Sequence, residues 1–454
     1  MNSDDVIFYS SLLLCVSLAN YYKKIDDKRL KRNYGTGLGI LVACLICGHS
    51  ILHTVIMVWG NIVIIKCCDK RYVHQMSLAY TWLYLSYLHW SLQKNCYIIW
   101  LHQTLALRLV GLAFEISTYQ RLKVDPGMST IKPNMDNECL STDPSAGDII
   151  SYAFYFTGIH KGPYYRWKVF DDHFNAPFGT LGDCRIITEQ KLKKAFACSL
   201  GYLLLRLKYS PQMYYERAFY IKYGSDFRFL YNIPQLTMYF LHYQIVMLLC
   251  TSVCTEAGFG VYPAKCLPIP GYGPSTRFSL LKLAARTPTI AMEEEYNFSM
   301  LKCFKNEKLL LGPRMKDTIR SWDMPTRFWF WANMYKNFIK ANKEIRSACS
   351  FVAWSIWVGP SIPQIIVSST LWVYVHLESE YCELYDTTGS MKIPWNIGFS
   401  IMRVFCLIYL APCLIVHDTA TVLRYYNSIY WIYHFFLLFL IVAAIVIFKL
   451  KDSL

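Results

Sequence analysis

The stretch Tyr425–Phe448, YYNSIYWIYHFFLLFLIVAAIVIF, contains no Lys, Arg, Asp or Glu. A helix needs about 20 predominantly apolar residues to cross the hydrocarbon core of a bilayer. The run shows no period-two alternation, so the crossing element is a helix rather than a barrel strand. Outward from it, the same signature recurs at Gly35–Ile65, Met76–Leu92, Phe229–Thr255 and Ser347–Leu377. A run from Ile397 to Val416 is broken only by Arg403, and an N-terminal one follows Asp5 up to Tyr22. These runs predict an all-α, polytopic integral membrane protein with about nine to twelve transmembrane or re-entrant helices.

Composition agrees with that class. Hydrophobic residues make up 54% and charged residues 17% of the 454 residues, against about a quarter charged in a soluble chain. The net charge of +15 sits in clusters at the edges of apolar runs, as in KKIDDKRLKR at Lys23–Arg32. Such clusters set topology, preferring the cytosolic side, so nucleic acid is not the expected partner. Attraction to anionic lipid headgroups or substrate phosphates is the alternative use of this charge. Asp4 and Asp5 precede the first apolar run where a cleavable signal would be basic, so Val6–Tyr22 reads as a retained helix. The 17 cysteines lie mostly in apolar runs. Cys44 and Cys47 form a C-x-x-C without neighbouring charge or further ligands, which favours small buried hydrophobes over a metal or redox site.

Two polar regions interrupt the apolar chain, one at about 120–147 and one at about 262–319. The first is rich in Pro, Asp, Asn and Ser and reads as a surface loop. The second begins with the Pro/Gly-rich YPAKCLPIPGYGPS and continues into amphipathic helices suited to a membrane surface. Neither is large enough for a separate domain, so the chain reads as a single membrane domain over residues 1–454.

Between these regions, SYAFYFTGIHKGPYYRWKVF (Ser151–Phe170) carries Gly158, Gly162 and Pro163 ahead of Tyr164, Arg166 and Trp167. Two glycines four apart allow close helix packing, and the proline breaks the helix and frees backbone groups beside a cavity. Arg166 is then placed to meet a phosphate; an interfacial aromatic belt with a snorkelling arginine is the other reading.

Two further segments are IRSWDMPTRFWFWA (Ile319–Ala332) and SACSFVAWSIWVGPSIP (Ser347–Pro363). With the Gly-x-x-x-Gly-Pro segment, GFGVYP (Gly258–Pro263), EEYNFSMLKCF (Glu294–Phe304) and RYYNSIYWIYHFF (Arg424–Phe436), they resemble the membrane-bound O-acyltransferase family in motif order. The lysophosphatidylinositol acyltransferase branch is the most similar. The resemblance implies a helical membrane fold around a buried cavity, residence in the endoplasmic reticulum, and phospholipid acyl-chain remodelling. It implies acyl-CoA as co-substrate and a lysophospholipid as acceptor, with no resident cofactor or metal. It also implies substrate-binding roles for Gly158, Gly162, Pro163, Tyr164, Arg166, Trp322, Trp357 and Gly359.

The branch carries Trp-Asn-Met and Trp-His-Gly, whereas this sequence has Trp322-Asp323-Met324 and Trp357-Val358-Gly359. The family's histidine takes the proton of the acceptor hydroxyl, and general-base assistance of that kind is worth about 10²–10⁴ in rate. Val358 has no proton acceptor. Asp323 is a milder departure, and the Hedgehog acyltransferase branch is similar in carrying Asp there. Pro325 is expected to alter the helix start that follows. His160, between the two glycines, is the candidate substitute base; His376 and His434 are weighed beside it. The expectation is an impaired acyltransferase, or a silent homologue that binds lipid or a partner.

Overall fold

The computed structural model describes residues 3–92, 95–124, 143–338, 341–385, 389 and 391–452. The chain is helical almost throughout. Helices α1 (Ser3–Lys23), α2 (Lys28–Cys47), α3 (Ile51–Cys67), α4 (Val73–Ser91) and α5 (Cys96–Val124) open it. The short α6 (Ala146–Ala153) and α7 (Trp167–Asn175) flank an irregular segment, followed by α8 (Cys184–Lys208), α9 (Arg217–Lys222), α10 (Ser225–Leu230) and α11 (Asn232–Glu256). The second polar region contains α12 (Phe278–Arg286), α13 (Pro288–Glu293), α14 (Asn306–Leu311) and α15 (Met315–Ser321). It also holds one antiparallel ladder, β1 (Tyr262–Pro263) against β2 (Tyr296–Asn297). Helix α16 (Met324–Phe330) continues into a π-helical turn, Trp331–Phe338, and α17 (Lys343–Val358), α18 (Ile362–Leu384), α19 (Lys392–Ile415), α20 (Thr419–Ser428) and α21 (Ile432–Asp452) close the chain. Of the loop expected over 120–147, residues 125–142 lie outside the described residues.

Among the described residues, six stretches are long and apolar enough to cross a membrane: Ser3–Lys23, Lys28–Cys67, Cys96–Val124, Ser225–Glu256, Lys392–Ile415 and Ile432–Lys449. The apolar run expected over Gly35–Ile65 is two helices, because Gly48 adopts φ +49 and ends α2. The run Ser347–Leu377 is likewise broken, at Gly359.

The chain divides into two compact units. The first comprises Met1–Phe196, Val246–Cys303 and Met324–Phe338. Helix α5 is its centre: 94% of its apolar window is buried, and α2, α3, α4, α6 and α7 pack against it. The second comprises Ala197–Ile245, Phe304–Asp323 and Ile339–Leu454. There α18 is the common packing partner of α15, α17, α19, α20 and α21. An aromatic core of Tyr214, Tyr374, Tyr409, Tyr425, Tyr426 and Tyr433 fills its interior. By contrast only 17% of the Ile432–Lys449 window is buried, which suits a helix facing lipid.

Candidate functional site

In the first unit, α6 starts with a capping box in which Ser145 and Asp148 satisfy each other's backbone N–H. It ends at Ala153, and the chain then runs without regular structure to Trp167. Backbone polar groups in such a segment must find partners inside the protein. Arg108, fully buried on α5, supplies them. Its Nη1 donates to the carbonyls of Tyr152 (3.3 Å), Ala153 (2.9 Å) and Tyr155 (2.9 Å), and its Nη2 donates to that of Thr157. The guanidinium also lies 4.6 Å from the Tyr165 ring centroid. The Tyr152 hydroxyl donates to the Tyr165 carbonyl at 2.6 Å and closes the loop on itself.

The small-residue packing expected of Gly158 and Gly162 is found elsewhere. Both glycines sit outside any helix at positive φ, +73 and +129, and the Gly162–Pro163 peptide is cis. A Cβ on Gly158 would lie 3.0 Å from the Gly162 carbonyl, so this pair makes a tight turn with itself. The close helix contact belongs to Gly35 and Gly39 on α2. The Gly35 carbonyl accepts from Phe156 N–H at 3.2 Å, and a Cβ on Gly39 would lie 1.6 Å from the Phe154 carbonyl oxygen.

Tyr164 is buried against Gly111 of α5. Arg166 is half-buried; its backbone N–H donates to the Gly271 carbonyl at 3.2 Å and its guanidinium covers the Tyr272 ring at 3.7 Å. Its Nε and Nη2 are buried and have no hydrogen-bond partner among the described residues. Trp167 N–H donates to Glu115 at 2.8 Å. The groove nearby is lined by Asp172, His173, Phe178, Gly258, Gly260 and Tyr262. His160 is buried in the same unit, with Nε2 3.0 Å from the Ser11 hydroxyl and its ring edge-on to Phe8.

The second unit holds Trp322, Asp323, Trp357, Val358 and Gly359. Two buried charges fix α15, which leads into the first motif. Glu378 of α18 accepts from Met315 N–H at 2.8 Å at the helix start. Arg403 of α19 donates to Thr318 Oγ1 at 2.9 Å and to the carbonyls of Leu309 and Leu310, each at 2.7 Å. Trp322 then leaves the helix in extended conformation. Its ring is caged by Tyr243 (4.9 Å), Phe304 (5.1 Å), Phe240 (5.5 Å) and Tyr239 (6.2 Å, near-parallel). Asp323 is 6% exposed and takes φ +36, a left-handed conformation costing on the order of 1 kcal/mol in a residue with Cβ. Its Oδ2 accepts from the Tyr243 hydroxyl at 2.7 Å. Pro325, which belongs to the first unit, stands in the first turn of α16, where the missing N–H is tolerated. The π-turn after it is a geometry often found at functional sites.

Trp357 is buried and Val358, half-buried, is the last residue of α17. Gly359 takes φ +147, and its N–H donates to Ser355 at 3.0 Å. Ser361 caps α18, with Pro363 in its first turn. The chain therefore stops and restarts its helix directly after the valine.

The two histidines weighed beside His160 each have partners. His434 lies 3.1 Å from Thr370 Oγ1 and 2.6 Å from the Tyr409 hydroxyl, one through each ring nitrogen. His376 stacks on Trp372 and faces Glu380 at 3.7 Å on its own helix. Sequence reasoning missed Arg108, Tyr243 and His173, the last 2.6 Å from the Tyr22 hydroxyl. The spacing of Gln235, Tyr239 and Tyr243 at i, i+4 and i+8 within an apolar run was the available signal for Tyr243. Among the described residues no cluster of three His, Cys, Asp or Glu is placed to hold a metal.

Residues 48–417 match the membrane-bound O-acyltransferase family, MBOAT. The chain belongs to this family. Among its relatives is the membrane-bound acylglycerophosphatidylinositol O-acyltransferase frj of Drosophila melanogaster, 27% identical with 95% of this chain and 90% of that protein covered. The human protein MBOAT7, of the same description, is 25% identical over 96% of this chain and 92% of its own length. A Caenorhabditis elegans relative, mboa-7, is 20% identical over 95% of this chain and 93% of its own. This MBOAT member thus matches these relatives along nearly their whole length.

Proposed function

We propose that this chain binds acyl-CoA and a lysophospholipid of the lysophosphatidylinositol type in the endoplasmic reticulum membrane and transfers the acyl group only slowly. The observation that carries the reading is Val358. It stands at the helix break where the family resemblance puts the general base, and its isopropyl group accepts no proton. The relatives' shared description supports the substrate class. The two unpartnered guanidinium donors of Arg166 support retention of an anionic headgroup or phosphate, since a buried donor left unpaired costs about 1–3 kcal/mol. The same donors favour a second reading, a silent homologue that holds lipid without turning it over.

The test is transfer from arachidonoyl-CoA to lysophosphatidylinositol by purified protein in nanodiscs. Weak wild-type transfer that rises in Val358→His supports the first reading. Lysolipid binding with no transfer in either protein supports the second. Turnover by the wild type at a rate that Val358→His does not improve overturns the role given to position 358.

A further inference from the structure

We infer that Gln364 receives the acyl carbonyl of acyl-CoA, its side-chain amide donating to the oxygen on which charge builds during transfer. The inference rests on the proposed acyl transfer for its chemistry, and on the helix break after Val358 for its place. Gln364 stands in the first turn of α18, in the same unit as Trp357, Val358 and Gly359. It is 7% exposed, and its buried Nε2 has no hydrogen-bond partner among the described residues. A buried amide donor left unpaired carries a desolvation cost, which an acceptor brought in by a ligand removes.

The turn around it is otherwise tied down. Gln364 N–H donates to Ser361 Oγ at 3.4 Å, Ile365 N–H donates to the Ser361 carbonyl at 2.9 Å, and Ser368 Oγ donates to the Gln364 carbonyl at 2.8 Å. These bonds fix the backbone under the side chain. Side chains on a helix lean toward its N-terminus, and the N-terminus of α18 is the break that follows Val358. Gly359 there is half-buried and Pro360 and Ser361 are exposed, so the protein does not seal the break.

The neutrality of the donor selects its ligand. A phosphate or carboxylate is matched by Arg or Lys, and Ser347–Leu377 holds neither. A carbonyl oxygen is uncharged before reaction and gains charge as the nucleophile adds, so a fixed donor there is worth most in the transition state. The positive end of the 23-residue α18 dipole acts in the same sense. In the reaction, the acceptor lipid oxygen bonds to the thioester carbon and the C=O π pair moves onto the carbonyl oxygen. The pair then returns, the C–S bond breaks, and the departing sulfur takes the proton lost by the lipid hydroxyl. The products are the ester and free CoA thiol.

The test uses isotope-edited infrared difference spectra of the full chain in nanodiscs. The probe is arachidonoyl-CoA carrying carbon-13 at its carbonyl, bound without an acceptor. A hydrogen bond lowers the thioester band, so Gln364→Met, which keeps the side-chain length and loses the donor, should raise it above the wild-type position. Gln364→Glu, of the same shape with an oxygen in place of the donor, should raise it too, even where the methionine variant folds poorly. Ser368→Ala, one turn on, should leave it in place. Bound acyl-CoA with one band position in wild type and both 364 variants overturns the assignment, as does an equal shift in Ser368→Ala. A shift seen only when the label sits in the ester carbonyl of lysophosphatidylinositol also overturns it. In the Val358→His protein, Gln364→Met should lower kcat by about 10²–10³ with little change in KM for acyl-CoA, and an unchanged kcat overturns the role in transfer. Shifted bands without turnover in any variant, Val358→His included, keep the carbonyl contact and remove the acyl-transfer reading. Failure of the wild type to bind arachidonoyl-CoA overturns both.

Discussion

The irregular segment 154–166 of the first unit and the break at Val358–Gly359 of the second both interrupt apolar helical chain, and they are held in different ways. In the first, a single side chain carries the backbone: Arg108 binds the carbonyls of Tyr152, Ala153, Tyr155 and Thr157. In the second, the backbone is fixed by its neighbours, through the φ of Gly359 and the Ser361 cap. Conformation that depends on a side chain ties residue identity to folding. Conformation that depends on neighbours leaves the intervening residue open to change, and under the proposed function position 358 is the one that lacks a general base.

The largest test of this contrast is Arg108→Met. Leaving several buried carbonyls unpaired costs about 1–3 kcal/mol each, so the variant should lose most of its folded, monodisperse protein in detergent, read by size exclusion. A folded Arg108→Met would break the comparison on its first side.

Val358→His should behave oppositely. Its thermal unfolding should match the wild type closely, while acyl transfer rises by up to about 10²–10⁴, measured as labelled phosphatidylinositol formed per minute. A histidine that unfolds the protein would break the comparison on its second side.

Gly39→Ala sharpens the first side. Its new methyl would meet the Phe154 carbonyl at 1.6 Å, and overpacking of this kind costs about 1–3 kcal/mol or somewhat more. A lower unfolding temperature is expected, with the loss relieved by returning glycine and not by enlarging Gly37, whose surroundings are open.

The smallest effect is expected at Asp418, which caps α20 by accepting from Thr421 N–H at 2.9 Å and from its hydroxyl at 2.6 Å. Those two bonds hold its carboxyl below the ordinary aspartate range. Asp418→Ala should cost about 1 kcal/mol at neutral pH. Because the folded value is depressed, the contribution is complete above the unfolded value near 3.9 and fades as pH falls through the folded one. The gap in unfolding temperature between wild type and Asp418→Ala should therefore be constant from pH 5 to 7 and close below about pH 4.

How much of this was legible follows from the kind of signal each residue leaves. Charge-free runs announced the helical membrane class because the bilayer imposes length and composition directly. The two Trp-containing segments announced the family because motif order survives where identity is low. The use made of Gly158 and Gly162 was misread: a Gly-x-x-x-Gly spacing looks alike whether the glycines pack a helix, as Gly35 and Gly39 do, or turn the chain at positive φ. Arg108 was invisible because a lone arginine in an apolar stretch does not state which carbonyls it will meet. Tyr243 was passed over because a tyrosine in a membrane helix reads first as an interfacial anchor. Its bond to Asp323 joins positions far apart in the chain, which no local pattern encodes.

The helix break after Val358 also bears on how this lineage could have changed. Gly359 and Ser361 specify the turn whatever side chain precedes them, so the residue at position 358 can change without a prior loss of fold. The same independence lets a histidine be placed there in one substitution. Under the proposed function, descendants of such a sequence pass between carrier and catalyst while the surrounding architecture is inherited unchanged.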